Sequence, residues 1–256
     1  MTPLVKPVMF IAGGTGSIGR EIAAQALASG WSVVIQGRSQ RSVDDTLRLL
    51  HSPQTGSALS GLCADIRYAG AINTMVEKAA GYHQRLDAVV DCLVTGPRSG
   101  GIVGEFSTTD PESYLEFLDL SVVYLERLSL AALPWLKESR GCLVAFASDA
   151  GIYAAPRQTL IGAARSATVG FIRNLAAEVA RDGVRAHCVA PSFVLETATA
   201  QRLLATDPER IEKAMRRAGL GLPTPRDIAP LVLFLCSEGA RRMTGQVISI
   251  NGGLNT

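Results

Sequence analysis

Val8 to Ala12 is a run of five apolar residues, and Gly13-Gly14-Thr15-Gly16-Ser17-Ile18-Gly19 follows it at once. The next stretch, REIAAQALASG, has helical periodicity and a glycine stop at Gly30. A strand that turns through glycines directly into a helix leaves few folds open, and the same exchange repeats along the chain. Further strands are expected at Trp31 to Gln36, Gly61 to Asp65, Asp87 to Leu93, Gly141 to Ala147, Val184 to Ala190 and Gly245 to Ile250. Helices are expected over 69–80, 111–138, 158–181, 208–218 and 226–236. Short, continuously apolar strands alternating with helices are the pattern of a parallel sheet covered on both faces. The polar segments 38–60, 95–110, 148–157 and 191–207 read as irregular rims, and no internal repeat or low-complexity segment interrupts the series.

A chain of 256 residues suits one large α/β domain, 1–256, rather than two. With 47% hydrophobic and 19% charged residues it can build a sizeable core, and a formal charge of +2 without a basic arm or acidic tail points away from nucleic acid or an anionic membrane. No apolar run reaches the length of a membrane span. The five cysteines, Cys63, Cys92, Cys142, Cys188 and Cys236, sit in apolar surroundings and form no Cys-x-x-Cys pair, so buried free thiols in a reducing compartment are expected. The opening segment runs into the glycine loop instead of a cleavage site, which makes a cytoplasmic location the expectation. His51, His83 and His187 are scattered, and no His/Asp/Glu set has metal-ligand spacing.

The glycine loop is where chemistry begins. Glycines permit a tight turn and close approach of backbone to a pyrophosphate, and the helix N-terminus supplies free N–H groups and the positive end of a dipole. Gly13, Thr15, Gly16, Ser17, Ile18 and Gly19 are therefore candidate dinucleotide contacts in a Rossmann fold, a doubly wound parallel sheet of about seven strands. An acidic residue ending the second strand would grip the ribose of NAD(H); this chain has Gln36-Gly37-Arg38-Ser39 instead. A guanidinium there can clasp a phosphate dianion, so Arg38 and Ser39, with Arg41 and Ser42 nearby, favour NADP(H) over NAD(H). An ordinary surface arginine is the alternative for Arg38.

The order of these features resembles the short-chain dehydrogenase/reductase family over essentially the whole chain. Ala12 to Gly19 is similar to the family's TGxxxGxG loop, with Ala12 for the threonine and Ser17 for the middle glycine. Gly13, Gly16 and Gly19 also match the spacing of the family's extended branch, whereas the chain length suits the shorter one. Asp65-Ile66 matches the pair that contacts the adenine ring, Pro191-Ser192 stands where the family has Pro-Gly, and Thr197 lies near the threonine that meets the nicotinamide amide. TGQVISINGG, from Thr244, is similar to the closing strand. Asp91-Cys92-Leu93-Val94 replaces the Asn-Asn-Ala-Gly floor of the nicotinamide site. Counting back from Leu133-Pro134 places Ser121 at the family's catalytic asparagine, with Asp119 as the alternative register. Ser148 aligns with the catalytic serine, and the Tyr-x-x-x-Lys pair becomes Ile161-Gly162-Ala163-Ala164-Arg165.

In the family, tyrosine exchanges the substrate proton, lysine lowers its pKa and binds the ribose, serine orients the carbonyl, and asparagine holds a relay water. The resemblance thus implies a site that retains Ser148 but has no proton at Ile161. Arg165 can hydrogen-bond the nicotinamide ribose but is a poor proton shuttle. A replacement acid could come from Tyr153 in the rim loop, whose bland alternative is a pocket wall, or from Asp149, whose commoner use is to cap loop backbone. Otherwise the substrate itself needs little protein acid, as when hydride adds to a conjugated system. Gly96 to Gly104 could reshape the pocket for such a substrate, with Arg98 meeting an acidic group or lying solvated.

Phe193 to Arg202 is expected to open a mobile lid continuing into 208–218, completing a substrate rim from 95–110, 148–157 and 191–218. The helices around 111–138 and 158–181 are apolar on more than one face, which implies a homodimer or homotetramer through them, with Gly162, Ala163 and Ala167 allowing close approach. The expected function is an atypical NADP(H)-dependent oxidoreductase acting on a small carbonyl or conjugated molecule. The alternatives are a non-catalytic dinucleotide-binding sensor or partner subunit of an active homologue, and non-redox chemistry in the same pocket.

Overall fold

Alternate residues of each strand are sent to opposite layers of core, and this division organises the molecule. The computed structural model describes residues 6–53, 55, 58–68, 70–93 and 101–256. The strands β1 (Val8–Ala12), β2 (Ser32–Gly37), β3 (Leu59–Cys63), β4 (Ala88–Asp91), β5 (Cys142–Phe146), β6 (Arg185–Pro191) and β7 (Val247–Ile250) form one seven-stranded sheet in the order β3-β2-β1-β4-β5-β6-β7. Every pair is parallel. In β1, Phe10 and Ala12 face one layer, and Met9 and Ile11 face the other. The first layer is closed by α3 (Ala71–Gly81), α5 (Tyr124–Ser139) and α6 (Thr159–Val179); the second by α1 (Ser17–Ala28) and α9 (Pro225–Cys236). This is the doubly wound Rossmann arrangement. The strand order reverses between β1 and β4, and in such sheets ligands sit in the crevice outside the carboxyl ends at that point.

Two expectations about the rims, and one about a helix, need correction. Segment 38–60 is not irregular: α2 (Gln40–Leu50) lies within it, started by Ser39, which accepts a hydrogen bond from the Ser42 N–H. Val43, Leu47 and Leu50 are spaced four and three apart and lay one thin stripe on the sheet, which a polar composition conceals. Segment 191–207 likewise holds α7 (Ala198–Thr206), followed by α8 (Pro208–Arg217). Residues of both helices share a small core of their own with Leu222 and Leu254, against which Phe193 and Leu195 pack. Finally, 111–138 is not one helix. A short turn at Pro111–Ser113 leads to α4 (Tyr114–Leu118), a π turn at Asp119–Val123 and then α5. A single inserted residue leaves no mark on periodicity, yet it rotates the following side chains and is frequently found at functional sites.

Of the cysteines, Cys142, Cys188 and Cys236 are buried as expected and Cys92 is partly so, but Cys63 is exposed at the sheet's edge. The predicted Gly96 to Gly104 pocket wall and Arg98 fall largely outside the described residues.

His187, buried in β6, carries a pH dependence. Burial, and then the charge of Arg185, lower its pKa from 6.5 to about 4. The unfolded chain therefore binds a proton in this range that the folded chain refuses. The neutral imidazole's contribution is fully present above the unfolded value and is lost as pH falls toward the folded one, about 3 kcal/mol in all at ~1.4 kcal/mol per pH unit. Denaturant unfolding of the parent and His187→Leu across that range should show the parent losing this much more stability than the variant. Parallel profiles would remove His187 from the explanation.

Candidate active site

The glycine loop is built so tightly that side chains have no room. Gly13 has φ +75°, and a Cβ on it would lie 2.8 Å from the Cys92 carbonyl carbon and oxygen; a Cβ on Gly19 would lie 2.6 Å from the Gly13 oxygen. The loop is thus pressed between the start of α1 and the end of β4. Gln36 braces it from the side: the Gly13 N–H donates to its Oε1 at 2.8 Å, and its amide donates to the Ala64 carbonyl at 2.6 Å. This bracing role was not foreseen, although an amide closing a wholly buried apolar strand is a signal that could have found it. Gly16 caps α1 without any side-chain hydrogen bond, so the first N–H groups of that helix are free for an anion. The cradle fits the pyrophosphate of a dinucleotide.

The other expected cofactor contacts lie along the same edge. A Cβ on Gly37 would meet the Thr15 side chain at 2.5 Å, which sets the β2 turn beside the loop. Arg38 in that turn is exposed, with its carbonyl accepting from the Cys63 thiol at 3.4 Å. The Ser39 hydroxyl meets that of Ser42 at 3.0 Å. Asp65 accepts from the Arg67 N–H at 3.1 Å, and Ile66 is buried beside it. Pro191 ends β6 opposite Ile250. The Thr197 hydroxyl is committed to capping α7: it accepts from Ala200 N–H at 3.1 Å and donates to the Val194 carbonyl at 2.8 Å.

Ser148, Ile161 and Arg165 are brought together by close packing of the rim loop on α6. A Cβ on Gly151 would meet Arg165 backbone and Cβ at 2.6–2.9 Å, and one on Gly162 would lie 2.8 Å from the Ala150 oxygen. Gly162 is therefore held small by this contact within the chain. The Arg165 guanidinium reaches back to the Phe146 carbonyl at 3.3 Å, two residues before Ser148. Ser148 opens the loop, accepting from the Ala150 N–H at 3.3 Å. Ile161, one turn before Arg165 and half-buried, brings no ionisable group.

Of the two acids considered, Asp149 is buried and tied to the C-terminal segment: the side chains of Ser249, Asn251 and Asn255 all donate to it. Tyr153 is half-buried and its phenol has no hydrogen-bond partner among the described residues. Ser121 sits in the π turn with its hydroxyl sealed and unpartnered, whereas Asp119 points to the surface and pairs with Arg127 at 3.3 Å. Ser121 is thus the interior one of the two registers.

One cluster was missed in the sequence. Asp91, at the end of β4, is 1% exposed; the Tyr124 phenol donates to its Oδ2 in a short hydrogen bond, and the Leu93 N–H donates to its Oδ1 at 3.1 Å. Burial pushes this carboxyl up to about 6, against the pull of the Tyr124 and Leu93 hydrogen bonds and the charge of Arg165. Burial, reinforced by Asp91, raises Tyr124 well above the ordinary phenol range. A carboxylate terminating an apolar strand needs such a partner; nothing local says which residue supplies it.

Residues 12–255 match the family model described as enoyl-(acyl carrier protein) reductase. The 2-(S)-hydroxypropyl-CoM dehydrogenase 3 of Xanthobacter autotrophicus is 31% identical over 98% of this chain and 97% of its own. The chain belongs to the short-chain dehydrogenase/reductase family. Its relatives include the peroxisomal 2,4-dienoyl-CoA reductase of Saccharomyces cerevisiae, 26% identical over 96% of this chain and 83% of that one. Among solved structures, an actinorhodin polyketide ketoreductase variant with NADPH superposes with a TM-score of 0.88 at 24% identity, covering 99% of each chain. Among the described residues of this family member, no helix is long and apolar enough to cross a membrane, and no group of His, Cys, Asp and Glu could hold a metal ion.

Proposed function

We propose that the protein is an NADP(H)-dependent oxidoreductase that passes hydride between the dinucleotide and a small conjugated or carbonyl substrate without the usual tyrosine acid. The observation that carries this reading is the uncapped glycine cradle at α1, whose Gly13 rests on the Cys92–Leu93 backbone after β4, with Arg165 anchored on the Phe146 carbonyl of the adjacent β5. The bound dinucleotide would supply or accept the hydride. Gly13 to Gly19 would hold its pyrophosphate, Arg38 and Ser39 the extra phosphate, Asp65 and Ile66 the adenine, and Arg165 the nicotinamide ribose, with Pro191 and Thr197 beside the amide. NADPH in the related ketoreductase structure supports the choice of dinucleotide.

Ser148 offers a hydroxyl to the substrate carbonyl, and Tyr153 is the nearby protonatable side chain left without a partner. A saturated ketone needs its proton during hydride transfer, and general acid help is worth roughly 10²- to 10⁴-fold. Hydride addition to a conjugated carbonyl instead leaves an enolate, which hydrogen-bond donors can stabilise until water protonates it. The enoyl and dienoyl substrates in the names of the family model and the yeast relative support the conjugated choice. The test is NADPH consumption with matched acceptors that differ only in conjugation. Reduction of the unsaturated member should be faster by roughly 100-fold; equal rates would contradict the reading.

Self-association through α4, α5 and α6 belongs to the same proposal, since Leu115 and Leu130 are 81% and 72% exposed there. The free thiols suit a reducing, cytoplasmic setting. A second reading, a dinucleotide-binding sensor or the partner subunit of an active homologue, draws on the absence of any proton at Ile161 and the complete engagement of Asp149.

A further inference from the structure

The cluster around Asp91 has no part in the function proposed above, yet it lies at the seam of the site. Asp91 pairs in register with Ala12, the residue that leads into the glycine loop, and the Cys92–Leu93 backbone is the surface on which Gly13 rests. From the other side α6 brings Arg165, whose charge reaches the Asp91 carboxylate. The carboxylate thus stands between the loop that would hold the pyrophosphate and the side chain that would meet the ribose.

Its surroundings leave it as the group there that changes charge near neutrality. Tyr124 from α5 is held neutral by burial and by Asp91 itself. Burial likewise keeps the thiols of Cys92, the residue after β4, and Cys188, on β6, protonated. Arg165 from α6 is a permanent cation. Ser121, in the π turn just before Tyr124, adds an unpartnered hydroxyl but no charge.

We propose that Asp91, positioned by Tyr124, is a charge sensor by which the site distinguishes the oxidised from the reduced nicotinamide dinucleotide. This rests on the dinucleotide reading given above. The oxidised ring carries a positive charge that the reduced ring lacks. An ionised carboxylate in a low-dielectric setting attracts that charge, and a protonated one treats the two forms nearly alike. By linkage the oxidised form in turn favours loss of the Asp91 proton. Tyr124 sets the range in which this happens, because its hydrogen bond favours the ionised carboxylate.

The test is calorimetric titration with NADP⁺ and with NADPH, from about pH 5 to about pH 8, on the parent, Asp91→Asn and Tyr124→Phe. The 2′-phosphate titrates in both dinucleotides and cancels in the ratio of their dissociation constants. In the parent that ratio should swing roughly tenfold toward NADP⁺ as pH rises. Asp91→Asn should flatten it. Tyr124→Phe should keep the swing but move its midpoint to higher pH, a shift that a merely structural tyrosine would not produce. A flat ratio in the parent, an unchanged swing in Asp91→Asn, or a fixed midpoint in Tyr124→Phe would overturn the proposal while leaving dinucleotide binding intact. Failure of either dinucleotide to bind at any pH would instead overturn the reading on which it rests. Should Asp91→Asn not fold, the parent and Tyr124→Phe still decide the matter.

Discussion

Ile161→Tyr combined with Arg165→Lys is expected to raise reduction of simple ketones by roughly 10²- to 10⁴-fold, whereas Ile161→Tyr alone should stay within about tenfold of the parent. Position 161 lies on the first turn of α6, against the rim loop that begins at Ser148. A phenol there would have the serine at hand. It would still face two obstacles in the single variant. The Arg165 guanidinium is anchored on the Phe146 carbonyl and does not relay protons. The buried Asp91 carboxylate already opposes ionisation of the Tyr124 phenol and draws on the Arg165 charge that a second phenol would need. Lysine at 165 restores a compact ammonium that can exchange its proton and approach a ribose hydroxyl. Steady-state rates with a small panel of ketones measure both variants. A vigorous reductase from Ile161→Tyr alone would show that the pocket is otherwise ordinary.

The second large effect concerns Gly19. Its added methyl in Gly19→Ala would sit 2.6 Å from the Gly13 oxygen and 2.7 Å from the Gly14 Cα. Both are backbone atoms, so no side-chain rotation can relieve the overlap and the cradle itself must move. Overpacking of this kind costs about 1–3 kcal/mol of stability. The N–H groups of α1 would be turned from the positions an anion requires, and dinucleotide affinity should fall by roughly 100-fold, equivalent to ~2.7 kcal/mol. Gly170→Ala is the control: nothing lies within 4 Å of its Cβ position on α6. That change should leave binding intact and stabilise the helix by about 0.5–1 kcal/mol. Thermal unfolding and dinucleotide titration of both variants separate the effects. Full binding by Gly19→Ala would mean the loop is not the pyrophosphate seat.

What the chain reveals before folding depends on whether the signal is local. β1 and the glycine loop announce themselves, because five apolar residues, a glycine turn and a helix start follow one another in sequence. The parallel sheet follows from repetition of that unit. α2 escapes because its buried stripe is only three residues wide in a polar stretch, and Ser39, read for phosphate binding, also starts the helix. The π turn escapes because Asp119–Val123 differs from a regular helix by one inserted residue. Asp91 and Tyr124 are 33 positions apart, joined only when β4 and α5 pack. The same holds for Asp149, whose partners Ser249, Asn251 and Asn255 arrive from the far end of the chain and take it out of the pool of acids. Side chains facing a site from several elements are assembled by tertiary packing, and periodicity does not reach that far.

Titration of the parent and Arg38→Ala with NADPH and NADH shows whether a phosphate-selective dinucleotide grip accompanies the altered proton machinery. Saturable NADPH binding with enhanced, blue-shifted nicotinamide emission is expected, and NADH should bind more weakly by about tenfold or more, in keeping with the loss of a charge-assisted phosphate contact. Arg38→Ala should cost NADPH most of that advantage and leave NADH nearly unchanged. Equal losses for the two dinucleotides, or no binding of either to the parent, would contradict it.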